Sequence, residues 1–192
     1  MMGAIKINEF KEPKERAVSD APSDNLILAL QDPALYDHPV KDFQVIETHI
    51  SWVILTGDYA YKIKKPMDFG FLDFSTLARR KHFCEEELRL NRRLANNLYL
   101  DVVPITGSTE APALGGQEDA FEYAIRMRQF DQNELFDVRQ ENSKLTPELL
   151  TSLARQAADF HDSQRPVESG KPLGTPEAVF AAMQENFDQI RP

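Results

Sequence analysis

Three lysines close together, Lys62, Lys64 and Lys65, are followed further along the chain by three consecutive acids, Glu85, Glu86 and Glu87. An ammonium can grip phosphate oxygens, and a carboxylate beside it can hold it in position. Such a pairing is one device for binding a phosphorylated ligand, and a binding device is not yet a reaction. Other chemistry is hard to find. There is no Gly-x-x-x-x-Gly-Lys-Ser/Thr loop and no Gly-x-Gly-x-x-Gly. No serine stands in a nucleophile elbow. The histidines (38, 49, 82 and 161) and Cys84 lack metal-ligand spacing, so no metal ligand and no catalytic residue is assigned.

The elements that must position these groups can be read from pattern. Phe43–Thr48 and Trp52–Leu55 are rich in β-branched and aromatic residues and predict two strands. Thr56-Gly57-Asp58 supplies a hairpin turn. In the strand that follows, alternation sets Ala60, Lys62 and Lys64 on one face and Tyr59, Tyr61 and Ile63 on the other. Tyr99–Ile105 and Phe121–Met127 predict two more strands, with Pro104 marking an edge or a strand end. Between them lies a polar loop with Gly115-Gly116.

Ser75 to about Asn96 reads as a helix, capped by Ser75 or Thr76 and closed at Asn96-Asn97. Taking Phe83 as zero and about 100° per residue, Leu90 falls near −20°, Leu94 near +20° and Glu87 near +40°. On that reckoning Phe83, Leu90 and Leu94 mark the core-facing arc and Glu87 lies within it. Glu86 is at the flank and Glu85 points away. A buried carboxylate needs a cation, and Lys62 is the nearest in sequence on a suitable strand face. A run of acids on a solvated face is the competing reading.

The rest of the chain is helical or irregular. Residues 1–24 are charged and interrupted by Pro13 and Pro22, which predicts a flexible leader. A short helix starts at Ser23 or Asp24, with Leu26, Ile27 and Leu30 apolar, and Pro33 limits it. Thr146-Pro147-Glu148 opens a helix whose stripe runs to Phe160 and His161, making His161 a core histidine rather than a base. Thr175-Pro176-Glu177 opens a last helix with Val179, Phe180, Met183, Phe187 and Ile190 on one stripe. An uncovered stripe there predicts that the domain continues past Pro192, or that a partner binds over residues 179–190.

Composition limits the function classes. With 22 basic and 31 acidic residues the net charge is −9, which opposes broad binding to nucleic acid or an anionic membrane. The cluster Lys62, Lys64, Lys65, Arg79, Arg80 and Lys81 could attract phosphate, although such runs usually face solvent. One cysteine fits a reducing cytoplasm, and no apolar run is long enough to span a bilayer. The expected location is cytoplasmic.

Taken together, the element order is similar to the small lobe and linker of aminoglycoside phosphotransferase-like kinases. His49-Ile50-Ser51-Trp52, Tyr61-Lys62-Ile63-Lys64-Lys65-Pro66, Asp68-Phe69-Gly70-Phe71-Leu72-Asp73-Phe74-Ser75 and Glu86-Glu87-Leu88-Arg89-Leu90-Asn91-Arg92-Arg93-Leu94 resemble a narrower group. That group is the bacterial bifunctional aminoglycoside phosphotransferase/ATP-binding proteins, and the resemblance runs from about Asp37 to the C-terminus. It implies an α+β fold: a kinase-like lobe over 25–130, an antiparallel sheet with one packed helix, then over 131–192 a helical linker and a truncated start of the large lobe.

The resemblance also implies roles. Lys62 matches the lysine on the nucleotide α- and β-phosphates, and Glu87, with Glu86 as fallback, matches the acid that orients it. Ala60 matches the small residue against the adenine. The backbone after Met127, through Arg128, Gln129 and Phe130, matches the segment that hydrogen-bonds the adenine edge. The implied cofactor is ATP with Mg2+, and the implied acceptor in a complete protein is a small-molecule hydroxyl. The chain departs from the wider pattern in carrying Thr48-His49-Ile50-Ser51 where a glycine-rich loop is usual. Asp68-Phe69-Gly70 has the letters of a kinase metal-binding motif but precedes the glutamate helix, so it reads as a turn.

The catalytic loop and its metal ligands are expected after Pro192, so this chain alone is expected to be inactive. The competing function is a non-catalytic protein-binding module with Lys62–Glu87 as a structural ion pair. Lys62→Met should separate the two, because the structural reading predicts a loss of about 3–5 kcal/mol when Glu87 is left unpaired.

Overall fold

The structure is a computed structural model that describes residues 24–168, 170–171 and 174–191. The expected leader lies outside these residues, apart from Asp24, which begins the first helix. The chain divides into two compact units, one ending at Glu134 and the other starting at Leu135. The class is α+β.

The first unit is built on a six-stranded antiparallel sheet of order β1-β2-β3-β6-β4-β5. Its strands are β1 (Gln44–Glu47), β2 (Ser51–Leu55), β3 (Tyr59–Lys64), β4 (Tyr99–Gly107), β5 (Pro112–Leu114) and β6 (Glu122–Arg128). Alternation along β3 divides its side chains as the sequence implies. Tyr61 and Ile63 enter a core with Trp52, Ile54, Ile105 and Ala124, closed by Leu26 and Ile27 from α1 (Asp24–Ala29) and by Leu30 just after it. Ala60, Lys62 and Lys64 take the other face, toward α2 (Leu77–Ala95), where Glu87 meets both lysines.

Three local outcomes differ from the sequence reading. β4 runs past the expected Ile105 to Gly107, while Pro104 stands where β4 is an edge, as the sequence implies, because the outer partner β5 pairs only from Ile105 onward. A proline without a donor is tolerated where a strand is still an edge. The supposed polar loop contains β5, too short to show a period of its own. The third outcome is the roll of α2. Leu90 is 47% and Leu94 53% exposed, while Arg80 and Cys84 are buried. On the same wheel Arg80, Cys84 and Glu87 fall near +60°, +100° and +40°, so the helix is rolled away from the predicted apolar arc. Ion pairing sets this roll. The sheet presents lysines and a glutamate to the helix, and the helix answers with Glu87 and Arg80.

Asp68-Phe69-Gly70 is a turn. Asp68 bridges Asp73, the Phe69 amide donates to Leu72 O at 2.9 Å, and Gly70 takes φ +83°.

The second unit contains α3 (Phe136–Glu141), α4 (Pro147–Asp162) and α5 (Pro176–Gln189). Thr146 and Thr175 cap α4 and α5 through the amides of Leu149 and Ala178, each with proline next in the chain. The expectation for His161 fails: it is exposed, and no residue of α4 is buried. Its helical stripe is real, but the described residues do not enclose it. Val179, Phe180, Met183, Phe187 and Ile190 on α5 are each more than half exposed. Among the described residues no helix is long and apolar enough to cross a membrane.

Candidate functional site

Antiparallel register sets three rows of side chains on the α2-facing side of the sheet. Leu55, Ala60 and Met127 stand opposite one another across β2, β3 and β6. Two residues along β3, Val53, Lys62 and Ile125 form the next row, followed by Ser51 and Lys64. An apolar row with a small residue at its centre, Leu55 and Ala60 of it buried, therefore borders a row centred on a cation.

Glu87 completes the site from α2. Its Oε1 accepts from Lys62 Nζ at 2.8 Å and its Oε2 from Lys64 Nζ at 2.7 Å. Burial alone would raise its pKa, but hydrogen bonds from the two lysines and their charges outweigh that and hold it below the ordinary value. The carboxylate is ionised at neutral pH, and two lysines to one glutamate leave a net charge of +1. Glu86 points elsewhere, pairing with Arg89 at 2.7 Å on the exposed face. Of the two acids the sequence left open, Glu87 is the lysine partner.

The position of Glu87 follows from how α2 is clamped. At its start, Arg80 Nε donates to Glu122 Oε2 at 2.7 Å and Nη1 donates to Phe74 O at 3.0 Å, with Arg80 2% and Glu122 0% exposed. At its end, Arg92 donates to the carbonyls of Tyr99, at 3.0 Å, and Leu100. Between these anchors Cys84 is fully buried, and burial pushes its thiol up to about 12. A thiol so raised stays protonated and is no nucleophile.

The remaining predicted residues are less open. The Arg128 amide donates to Leu98 O at 2.8 Å and the Gln129 amide to Asp58 O at 3.0 Å. Gln129 Oε1 also accepts from the Gly57 amide at 2.9 Å, tying down the β2–β3 turn. Two of the three amides expected to face a ligand are thus engaged within the fold. The Phe130 amide has no hydrogen bond among the described residues, and its side chain is 45% exposed.

The β1–β2 turn that replaces a glycine-rich loop closes on itself. Thr48 Oγ1 accepts from the amides of Ile50, at 3.3 Å, and Ser51, at 3.0 Å. The amides of Thr48, Ile50 and Ser51 are thus used within the turn, which leaves the lysines as the main anion-binding groups.

The basic cluster is not a free cationic patch. Lys65 pairs with Glu47, Arg79 with Asp73, Arg80 with Glu122, and Lys81 lies 4.0 Å from Glu85. Sequence reasoning passed over the roles of Lys64, Arg80 and Glu122. Lys64 was signalled by its two-residue spacing from Lys62. Arg80 was signalled by helical spacing with Cys84 and Glu87, masked by its setting in Arg79-Arg80-Lys81.

The chain is similar to uncharacterised proteins of Mycobacterium tuberculosis (strains H37Rv and CDC 1551) and Mycobacterium bovis, at 31% identity over 162 residues. Each alignment covers 80% of this chain, which spans about 30% of the length of these relatives. No family model matches the chain, and no solved structure matches it.

Proposed function

We propose that the sheet and α2 form the ATP-binding lobe of a kinase-like small-molecule phosphotransferase of the bifunctional aminoglycoside phosphotransferase/ATP-binding type. The observation that carries this reading is Lys62 held 2.8 Å from Glu87 beside the Leu55–Ala60–Met127 row. A planar base would lie on the apolar row and its phosphates would run toward Lys62. The Phe130 amide would serve the adenine edge in place of the engaged amides of Arg128 and Gln129.

ATP would bring Mg2+. Among the described residues no group of three or more His, Cys, Asp or Glu is arranged to hold a metal ion, so no step of phosphoryl transfer is assigned to these side chains. Nucleotide binding is the chain's own part, and the acceptor would be a small-molecule hydroxyl. Thermal unfolding with and without millimolar ATP tests the reading. ATP should raise the melting temperature of the wild type and leave that of Lys62→Met unchanged, with the same far-ultraviolet circular dichroism. No shift in the wild type, or an equal shift in the variant, would defeat it.

The exposed α5 stripe favours a second reading, a protein-binding module in which Glu87 and its lysines are only structural. On that reading ATP shifts nothing, and substitutions at Lys62 and Lys64 act on stability alone.

A further inference from the structure

Glu87 is shared between two ammoniums, one on each oxygen. With a single Lys–Glu pair, a phosphate that drew the lysine away would leave a mostly buried carboxylate without a cation, at a desolvation cost. Here the second oxygen still has its lysine.

The two lysines are not equivalent. The side chain of Lys64 is 5% exposed and that of Lys62 is 24% exposed. The Lys64 ammonium lies 4.7 Å from the centre of the Phe74 ring, a favourable site for a cation. Phe74 is itself fixed: its amide donates to Met67 O at 2.7 Å, its carbonyl accepts from Arg80 at 3.0 Å, and its ring meets Phe83 edge-on at 5.1 Å. Across the β2–β3 ladder Lys64 faces Ser51, which is buried. Lys64 therefore has little freedom to leave Glu87. Lys62, one row nearer Ala60, is the ammonium that solvent and a ligand can reach.

We propose that Lys64 is the fixed holder of Glu87 and Lys62 the exchangeable one, so that a polyphosphate can take Lys62 without stranding a buried charge. The proposal rests on the ATP-binding reading and adds Lys64 to it as a positioning residue that acts through Glu87. It also gives the site its net positive charge before any ligand arrives.

The test is calorimetric titration of the 192-residue chain with ATP, adenosine and inorganic tripolyphosphate, in the wild type, Lys64→Met and Lys64→Arg. Lys64→Met should weaken ATP and tripolyphosphate at least about tenfold, the scale of a charged hydrogen bond, and change adenosine less than about twofold. Lys64→Arg, which keeps the cation, should restore the preference for ATP over adenosine. An equal loss for ATP and adenosine, or no loss, would overturn the role of Lys64 while leaving ATP binding intact. A wild type that binds none of the three ligands would remove the ATP-binding reading and this proposal with it. Labelling of lysine amines by a small acylating reagent gives a check that needs no variant. Tripolyphosphate should protect Lys62 and leave the slow rate at Lys64 unchanged, and protection of Lys64 instead would overturn the assignment.

Discussion

Lys64 and Glu87 are 2.7 Å apart, with 5% and 16% of their side chains exposed, and this pair is the better buried half of the three-residue cluster. That ranking changes what a Lys62 substitution can reveal. Lys62→Met does not strand Glu87, because Lys64 remains. It should therefore cost about 1 kcal/mol or less, as for a partly exposed ion pair, and not the larger penalty that the sequence suggested. Lys64→Met should cost more, about 1.5–3 kcal/mol, because it removes a buried charged hydrogen bond. Glu87→Ala should be worst, about 3–5 kcal/mol, because it leaves two ammoniums facing each other without a counter-charge. Urea unfolding at neutral pH gives the order directly. A Lys62→Met loss as large as that of Glu87→Ala would show that Lys64 does not hold the carboxylate.

Two glutamates should move stability with pH in opposite directions. Glu87 has its pKa lowered by its lysines against the pull of burial, so its contribution is present above the unfolded value and is lost as acid titrates it. Glu122 is the reverse: burial, opposed by Arg80, raises it from 4.5 to about 7. The folded state then binds the Glu122 proton more tightly than the unfolded chain. Its contribution is complete below 4.5 and is lost as pH rises through about 7. The whole window corresponds to roughly 3 kcal/mol. Unfolding free energies from pH 4 to 8 should show this decline in the wild type and lose it in Glu122→Gln. The two proteins differ only at residue 122, so the difference between their curves isolates Glu122. A parallel pair of curves would rule out the raised carboxyl.

The strands and helices around the site were legible because their signals are local. Alternation along Tyr59–Lys64 gave both faces of β3, and Thr76 and Asn96 bounded α2. What could not be read was the roll of α2, and the reason is physical. Phe83, Leu90 and Leu94 form the apolar arc visible in the sequence, whereas the helix is held by Arg80 on Glu122 and by Glu87 on Lys62 and Lys64. Partners that far apart in sequence leave no periodic mark. Glu87 falls inward even on an arc whose leucines are half exposed, because it lies close to both the predicted and the actual contact line. His161 shows the complementary limit, since periodicity reports an amphipathic face and not what covers it. The engagement of the Arg128 and Gln129 amides was invisible for a similar reason, as it depends on which carbonyls, Leu98 and Asp58, arrive beside them.

Cys84 offers a spectroscopic reading of the same cluster. It precedes Glu87 by three residues on α2, is fully buried, and has its thiol raised to about 12, chiefly by burial. A disulfide reagent attacks thiolate and needs access, and the folded protein denies it both. The native chain should therefore react at least about a hundredfold more slowly than the urea-unfolded chain, whose thiol has an ordinary pKa near 8.5. Glu87→Ala removes the carboxylate that draws this part of α2 toward β3, and leaves two nearby ammoniums that favour a thiolate. Both effects push the same way, so its rate should rise well above that of the wild type at a pH where both remain folded by circular dichroism. Lys62→Met keeps Glu87 on Lys64 and should leave the rate near the native one. If Lys62→Met and Glu87→Ala accelerate the thiol equally, Lys62 and not Lys64 is what anchors Glu87 to the sheet.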